Sequence, residues 1–156
     1  MVKCNDKDLT TRGGSNAQQT AYQSTVATYS SGSSALGDNT ASNIPCLSST
    51  SIGDIVYINN TTAEPALAAT YTTSRAIGII VNKPTTTTCD ITTVGPLTLA
   101  ALGSLSPLQT YYLSDVNPGS LTTTPTATSG NYVIQIGTAL SSGTLNINIQ
   151  RIVKRA

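Results

Sequence analysis

The chain has no histidine, no tryptophan and no phenylalanine. Without histidine, a serine or cysteine nucleophile lacks its usual general base, and the commonest zinc ligand is missing. Charge is scarce too. Eight basic and seven acidic residues make up 10% of 156, and the net charge is +1, where a typical soluble domain carries about 25% charged residues. Such a balance gives no broad field to draw in nucleic acid, so no nucleic-acid partner is expected. The cysteines, Cys4, Cys46 and Cys89, are three in number and widely spaced. That argues against a disulfide framework and predicts free thiols, with Cys46 and Cys89 buried. No apolar run approaches the roughly 18 to 20 residues of a membrane-spanning helix. The opening "MVKCNDKDLTTRGG" also lacks the apolar stretch of a signal peptide. The expectations are no membrane partner and synthesis in the cytoplasm.

What fills the chain instead is threonine and serine, 27 and 18 residues, against one glutamate and four lysines. Threonine is β-branched and suits strands; serine suits turns. The composition predicts an all-β protein. Between Asp90 and Arg151 the only charge is Asp115. A surface this neutral favours self-association. The 34 Ile, Leu and Val residues are unevenly spread, with six in residues 1–47 and 28 in residues 48–156. The first segment, as in "SSGSSALGDNTASN", buries too little apolar area to offset its ordering entropy. It is expected to be an extended, largely irregular N-terminal arm, residues 1–47, ordered only against something else. Residues 48–156 are the expected β-domain.

Within that domain "IGDIVYIN" reads as a strand with Ile55 and Tyr57 on one face and Val56 and Ile58 on the other. Asn59 to Thr62 is a turn, and "EPALAAT", with Pro65, is an edge strand or irregular crossing. "RAIGIIVN" is a strand whose Ile79-Ile80-Val81 run implies burial on both faces. Gly78 inside it implies a bulge or a close backbone approach. Lys83-Pro84 is expected to end it, Gly95-Pro96 to break the following "TTTTCDITTV", and "LTLAAL" to be a short strand. "TYYLSD" enters a turn at Asn117-Pro118-Gly119. "NYVIQIGTAL" and "TLNINIQRIV" are joined at Ser141-Ser142-Gly143 as a hairpin, with Leu145, Ile147 and Ile149 inward and Asn146, Asn148 and Gln150 outward. Short strands with turn signals about every 8 to 12 residues and no helical period predict a compact antiparallel sandwich or barrel.

No catalytic constellation is visible. The acids are scattered, and Asp54 with Glu64 is the one plausible neighbouring pair. "Asp115-Val116-Asn117-Pro118-Gly119" opens like a calcium loop but has no later acid to complete the shell, and turn chemistry accounts for it. No catalytic residue, cofactor, metal or small-molecule substrate is therefore expected, and no enzyme. Basic residues gather mildly at the two ends, Lys3, Lys7 and Arg12 in the arm and Arg151, Lys154 and Arg155 at the C-terminus. The plainer reading is solvated tails; the competing one is that these charges dock onto an acidic protein surface.

The succession "GDIVYIN", "RAIGIIVN", "GSLSPLQTYYLSDVNPGSLTTTP" and "GNYVIQIGTALSSGTLNINI" resembles a β-rich module of tailed-bacteriophage structural proteins. Such modules occur in capsid decoration (cement) proteins and in head or tail fibres. The resemblance covers about residues 52–150, and it implies a homotrimer whose arm grips the particle or a neighbouring subunit. The implied partners are the major capsid protein and further copies of the chain, on the outer capsid surface of the virion. The residues expected at such interfaces are the terminal basic residues named above, with Tyr22 and Tyr29 of the arm and the Tyr111-Tyr112 pair. The alternative is a head- or tail-fibre module that binds host surface glycans or proteins.

Overall fold

Threonine and β-branched aliphatics run through nearly all of residues 39–156, the part of the chain that the computed structural model describes, and they fold as strands. In order these are β1 (Thr40–Pro45), β2 (Ile55–Asn59), β3 (Thr62–Pro65), β4 (Gly78–Thr85), β5 (Thr88–Thr92), β6 (Gly95–Thr98), β7 (Thr110–Leu113), β8 (Leu121–Thr122), β9 (Tyr132–Ser141) and β10 (Thr144–Lys154). One short 3-10 turn, Ala100–Leu102, follows β6. The strands form two five-stranded antiparallel sheets, ordered β1-β5-β4-β2-β3 and β6-β10-β9-β7-β8.

The main core lies between the sheets. Ile55, Tyr57 and Ile79 of the first sheet pack with Tyr111, Ile136 and Leu145 of the second. A smaller core sits on the far face of the first sheet, made by Cys46, Val56, Ala63, Ile80, Cys89 and Ile91. It exists because the sheet curls on itself. A single parallel bridge, Cys46 to Ala63, joins its two ends, and the Leu47 N–H donates to the Ala63 carbonyl at 3.2 Å. The unbroken aliphatic run of β4 now has a reason: Ile79 belongs to one core and Ile80 to the other.

Several sequence expectations need correction. β1 lies inside the stretch assigned to the arm, so among the described residues strand structure is already present at Thr40, ahead of residue 48. Its apolar content is one half-buried isoleucine, Ile44; hydrogen bonding to β5 supplies the rest. Lys83-Pro84 does not end β4, which runs to Thr85. Beyond Ile80 that strand has β5 alone as a neighbour, so the missing proline N–H breaks no ladder. Instead, the Lys83 ammonium donates to the Thr50 carbonyl at 2.7 Å and fastens the loop after β1. The expected break at Gly95-Pro96 does hold: β5 ends at Thr92, and Gly95-Pro96 opens edge strand β6 of the other sheet. "LTLAAL" is the end of β6 followed by the 3-10 turn. The expected arm, with Cys4, Lys3, Lys7, Arg12, Tyr22 and Tyr29, lies outside the described residues up to residue 38.

Candidate functional site

Residues directly opposite one another in neighbouring strands share a face of the sheet. On the outer face of the second sheet one row therefore reads Pro96, Asn146, Thr138, Thr110 across four strands. The next reads Gln150, Gln135, Tyr112, Thr122. Neither row holds a charge. Thr98 and Thr144 share a 2.8 Å hydroxyl hydrogen bond beside them. The result is a broad sheet face of small amides and hydroxyls with one tyrosine ring. Of the Tyr111-Tyr112 pair only Tyr112 is on it. Tyr111 is a core residue, and its hydroxyl accepts from the Ser106 N–H at 2.9 Å. At the end of this sheet nearest the β9–β10 turn stands Leu108, 85% exposed. Its φ of 65° is a conformation that costs a leucine about 1 kcal/mol.

A second surface feature lies at the opposite end of the β9–β10 pair. Tyr71 and Tyr132 meet edge to face, with ring centroids 6.2 Å apart. The Arg151 guanidinium lies 4.9 Å from the Tyr71 centroid and 5.6 Å from that of Tyr132. The Lys154 ammonium lies 5.8 Å from Tyr132. The loop that carries Tyr71 is well fastened. Thr73 donates through its hydroxyl to the Leu67 carbonyl and Ser74 to that of Tyr71. The Tyr132 N–H in turn donates to the Ala68 carbonyl. Of the C-terminal basic residues expected to dock outward, Arg151 and Lys154 meet in this patch. Arg155 is turned to the fold: its Nε donates to the Thr126 carbonyl at 2.9 Å. Sequence reasoning missed Tyr71 and Tyr132. Both stand alone in sequence, and only tertiary packing joins them to the basic residues.

The four acids among the described residues each have partners of their own, and none bonds Arg151 or Lys154. Asp115 accepts from the Thr126 hydroxyl, from Asn131 Nδ2 at 3.1 Å and from the Thr128 hydroxyl at 3.2 Å. Those bonds, that of Thr126 foremost, hold its carboxyl below the usual range. The acid of the calcium-like stretch thus binds a neighbouring loop. Asp54 and Glu64, the pair weighed for catalysis, are separately engaged. Glu64 accepts from the Tyr57 hydroxyl at 2.8 Å and from Asn59 at 3.0 Å. Asp54 accepts from the Ser51 N–H at 2.8 Å; burial raises its carboxyl above the ordinary value. It sits in a pocket of about 250 Å³ with Ile52, Ala101, Leu102 and Leu121 on the walls. Asp90 accepts from the Asn43 N–H and from Asn82. Cys46 and Cys89 are free and buried. Burial first, and then the Cys46 thiol, push Cys89 up to about 12, far from a reactive thiolate. Among the described residues no three His, Cys, Asp or Glu side chains gather as a metal site would need.

The geometry shows two surface features, one a neutral sheet face and one an aromatic, basic patch. No protein-family model, curated protein or solved structure matches this chain.

Proposed function

We propose that this chain is a non-enzymatic structural protein of a tailed-bacteriophage particle, a decoration protein that binds the outer capsid surface and stabilises it as a homotrimer. The observation that carries the reading is the uncharged outer face of the second sheet. Amides and hydroxyls form hydrogen bonds across an interface without the desolvation cost of charge. Repeated around a closed symmetry axis, such a face associates without growing into open filaments. The resemblance of the succession of sequence phrases to phage modules supports the same reading, and the polar first 38 residues suit an arm that orders on its partner.

The test uses the full chain and its Thr138→Lys variant. Thr138 is at the middle of the neutral row, opposite both Asn146 and Thr110, so a lysine there puts an unpaired charge into any contact made by this face. Light scattering should give a trimer for the wild type and a monomer for the variant. Wild-type protein should co-sediment with washed capsids at saturation, and the variant should bind at least tenfold more weakly. A monomeric wild type, or protein that never sediments with capsids, refutes the reading. The second reading is a head- or tail-fibre module that binds host surfaces, favoured by the 58% exposure of Tyr71 at one end of the domain.

A further inference from the structure

β6 pairs with β10 only from Thr144 to Ile147. From there to Lys154, β10 has β9 on one side and, among the described residues, no strand on the other. An open strand edge exposes N–H and C=O groups ready to pair with an extended chain. The edge runs directly into the patch where Arg151 and Lys154 stand over Tyr71 and Tyr132. None of the four acids among the described residues bonds either cation; each is engaged elsewhere. A guanidinium held on aromatic faces is pre-organised to take a carboxylate through two parallel N–H···O bonds.

We infer that the open edge of β10, from Asn148 to Lys154, is a docking site for an extended acidic peptide segment of a partner protein. The segment's main chain adds to the sheet beside β10, and its Asp or Glu carboxylate is held by Arg151 and Lys154. Charge complementarity selects an acidic ligand. The strand edge selects a peptide over a polysaccharide, which has no backbone to pair. Two cations are also too few for the repeated phosphate neutralisation that a nucleic acid needs. Tyr71 and Tyr132 are positioning residues: they fix the cations and do not themselves form the ion pair. The site works in the same way on or off a particle, so it can fail while the virion reading stands.

Fluorescence anisotropy with the full chain tests it, using a labelled eight-residue peptide of alternating Glu and Thr. The acidic peptide should bind saturably, and its Lys-Thr counterpart should not. Arg151→Gln should weaken binding at least tenfold. Tyr71→Ala should weaken it less and steepen its dependence on salt, because a mobile guanidinium is more easily screened. Methylating alternate peptide nitrogens on the edge-facing side should abolish binding. Arg75→Gln, a cation on the same loop as Tyr71 and over neither ring, should leave binding unchanged. Any of four results overturns the inference: no binding of the acidic peptide at millimolar concentration, equal binding by Arg151→Gln, equal binding of the methylated peptide, or tighter binding of single-stranded DNA or hyaluronate than of the peptide.

Discussion

At Asp115 one carboxylate oxygen accepts from Thr126, Thr128 and Asn131, tying the turn after β7 to the loop before β9. In a domain with so few charges this is a structural use of one. The carboxyl is held below its ordinary value, chiefly by Thr126. An aspartate with a depressed folded pKa adds stability that is present above the unfolded value, near 3.8. That stability is lost as pH falls through the folded pKa. Asp115→Asn should therefore cost about 1 kcal/mol near pH 7, a figure reduced for the group's exposure to solvent. The gap between wild type and variant should close between about pH 5 and the region below 3.8. Urea melts across that range measure it, and the difference removes the contributions of Asp90, shifted the same way, and Asp54, shifted the other way. A gap that is constant with pH contradicts the ion's role. The sequence showed that Asp115 begins a turn. It did not show the three distant donors, because Thr126, Thr128 and Asn131 sit in an ordinary Thr- and Ser-rich loop.

Between strands, two glycines leave no room for a side chain. A side chain on Gly78 would meet the backbone oxygen of Thr92, and one on Gly137 would meet that of Asn146, with the Ile147 Cα only 3.2 Å away. Gly137 is flanked in register by Tyr111 and Ile147, both core residues, so neither neighbouring strand can retreat cheaply. Gly137→Ala should cost about 3 kcal/mol, whereas Gly143→Ala, with nothing within 4 Å, should change stability by less than about 0.5 kcal/mol. Paired chemical melts decide it, and equal midpoints would sink the account. The tight approach at Gly78 was legible, since a glycine inside an aliphatic strand signals one. The β9–β10 hairpin was legible from its alternation and its Ser-Gly turn. β1 was not, because "TASNIP" has no alternation and pairs through backbone bonds that composition does not reveal. The Tyr71, Tyr132, Arg151, Lys154 patch was half legible. The basic residues stood out at the C-terminus, but the rings come from a loop and a strand that meet them only in the folded chain.

For the whole molecule, the two cores depend differently on the start of the described chain. The main core draws on residues from Ile55 onward. The smaller one needs Cys46, with Ile44 packed against it, to cover Val56, Ile80, Cys89 and Ile91. Between Asn39 and Leu47 the chain also supplies the Thr40–Thr92 hydroxyl bond at 3.0 Å, the Asn43 N–H to Asp90 bond at 2.9 Å and the Cys46–Ala63 bridge that closes the curled sheet. Deleting residues 1–38 leaves all of these in place, and the melting temperature of that shorter chain is the reference. Deleting residues 1–47 removes them together and opens an apolar face to water. At about 3 kcal/mol for the lost burial and bonds, the melting temperature should fall by roughly 12 to 20 °C in a domain of this size. A thiol reagent gives an independent reading. After the shorter deletion Cys46 and Cys89 are the only cysteines, both buried, and they should react only as fast as the domain opens. After the longer deletion Cys89 loses its cover and should react rapidly in the native state. If the two deletions melt alike and protect Cys89 alike, then β1 is an ornament on the sheet, and the smaller core holds without it.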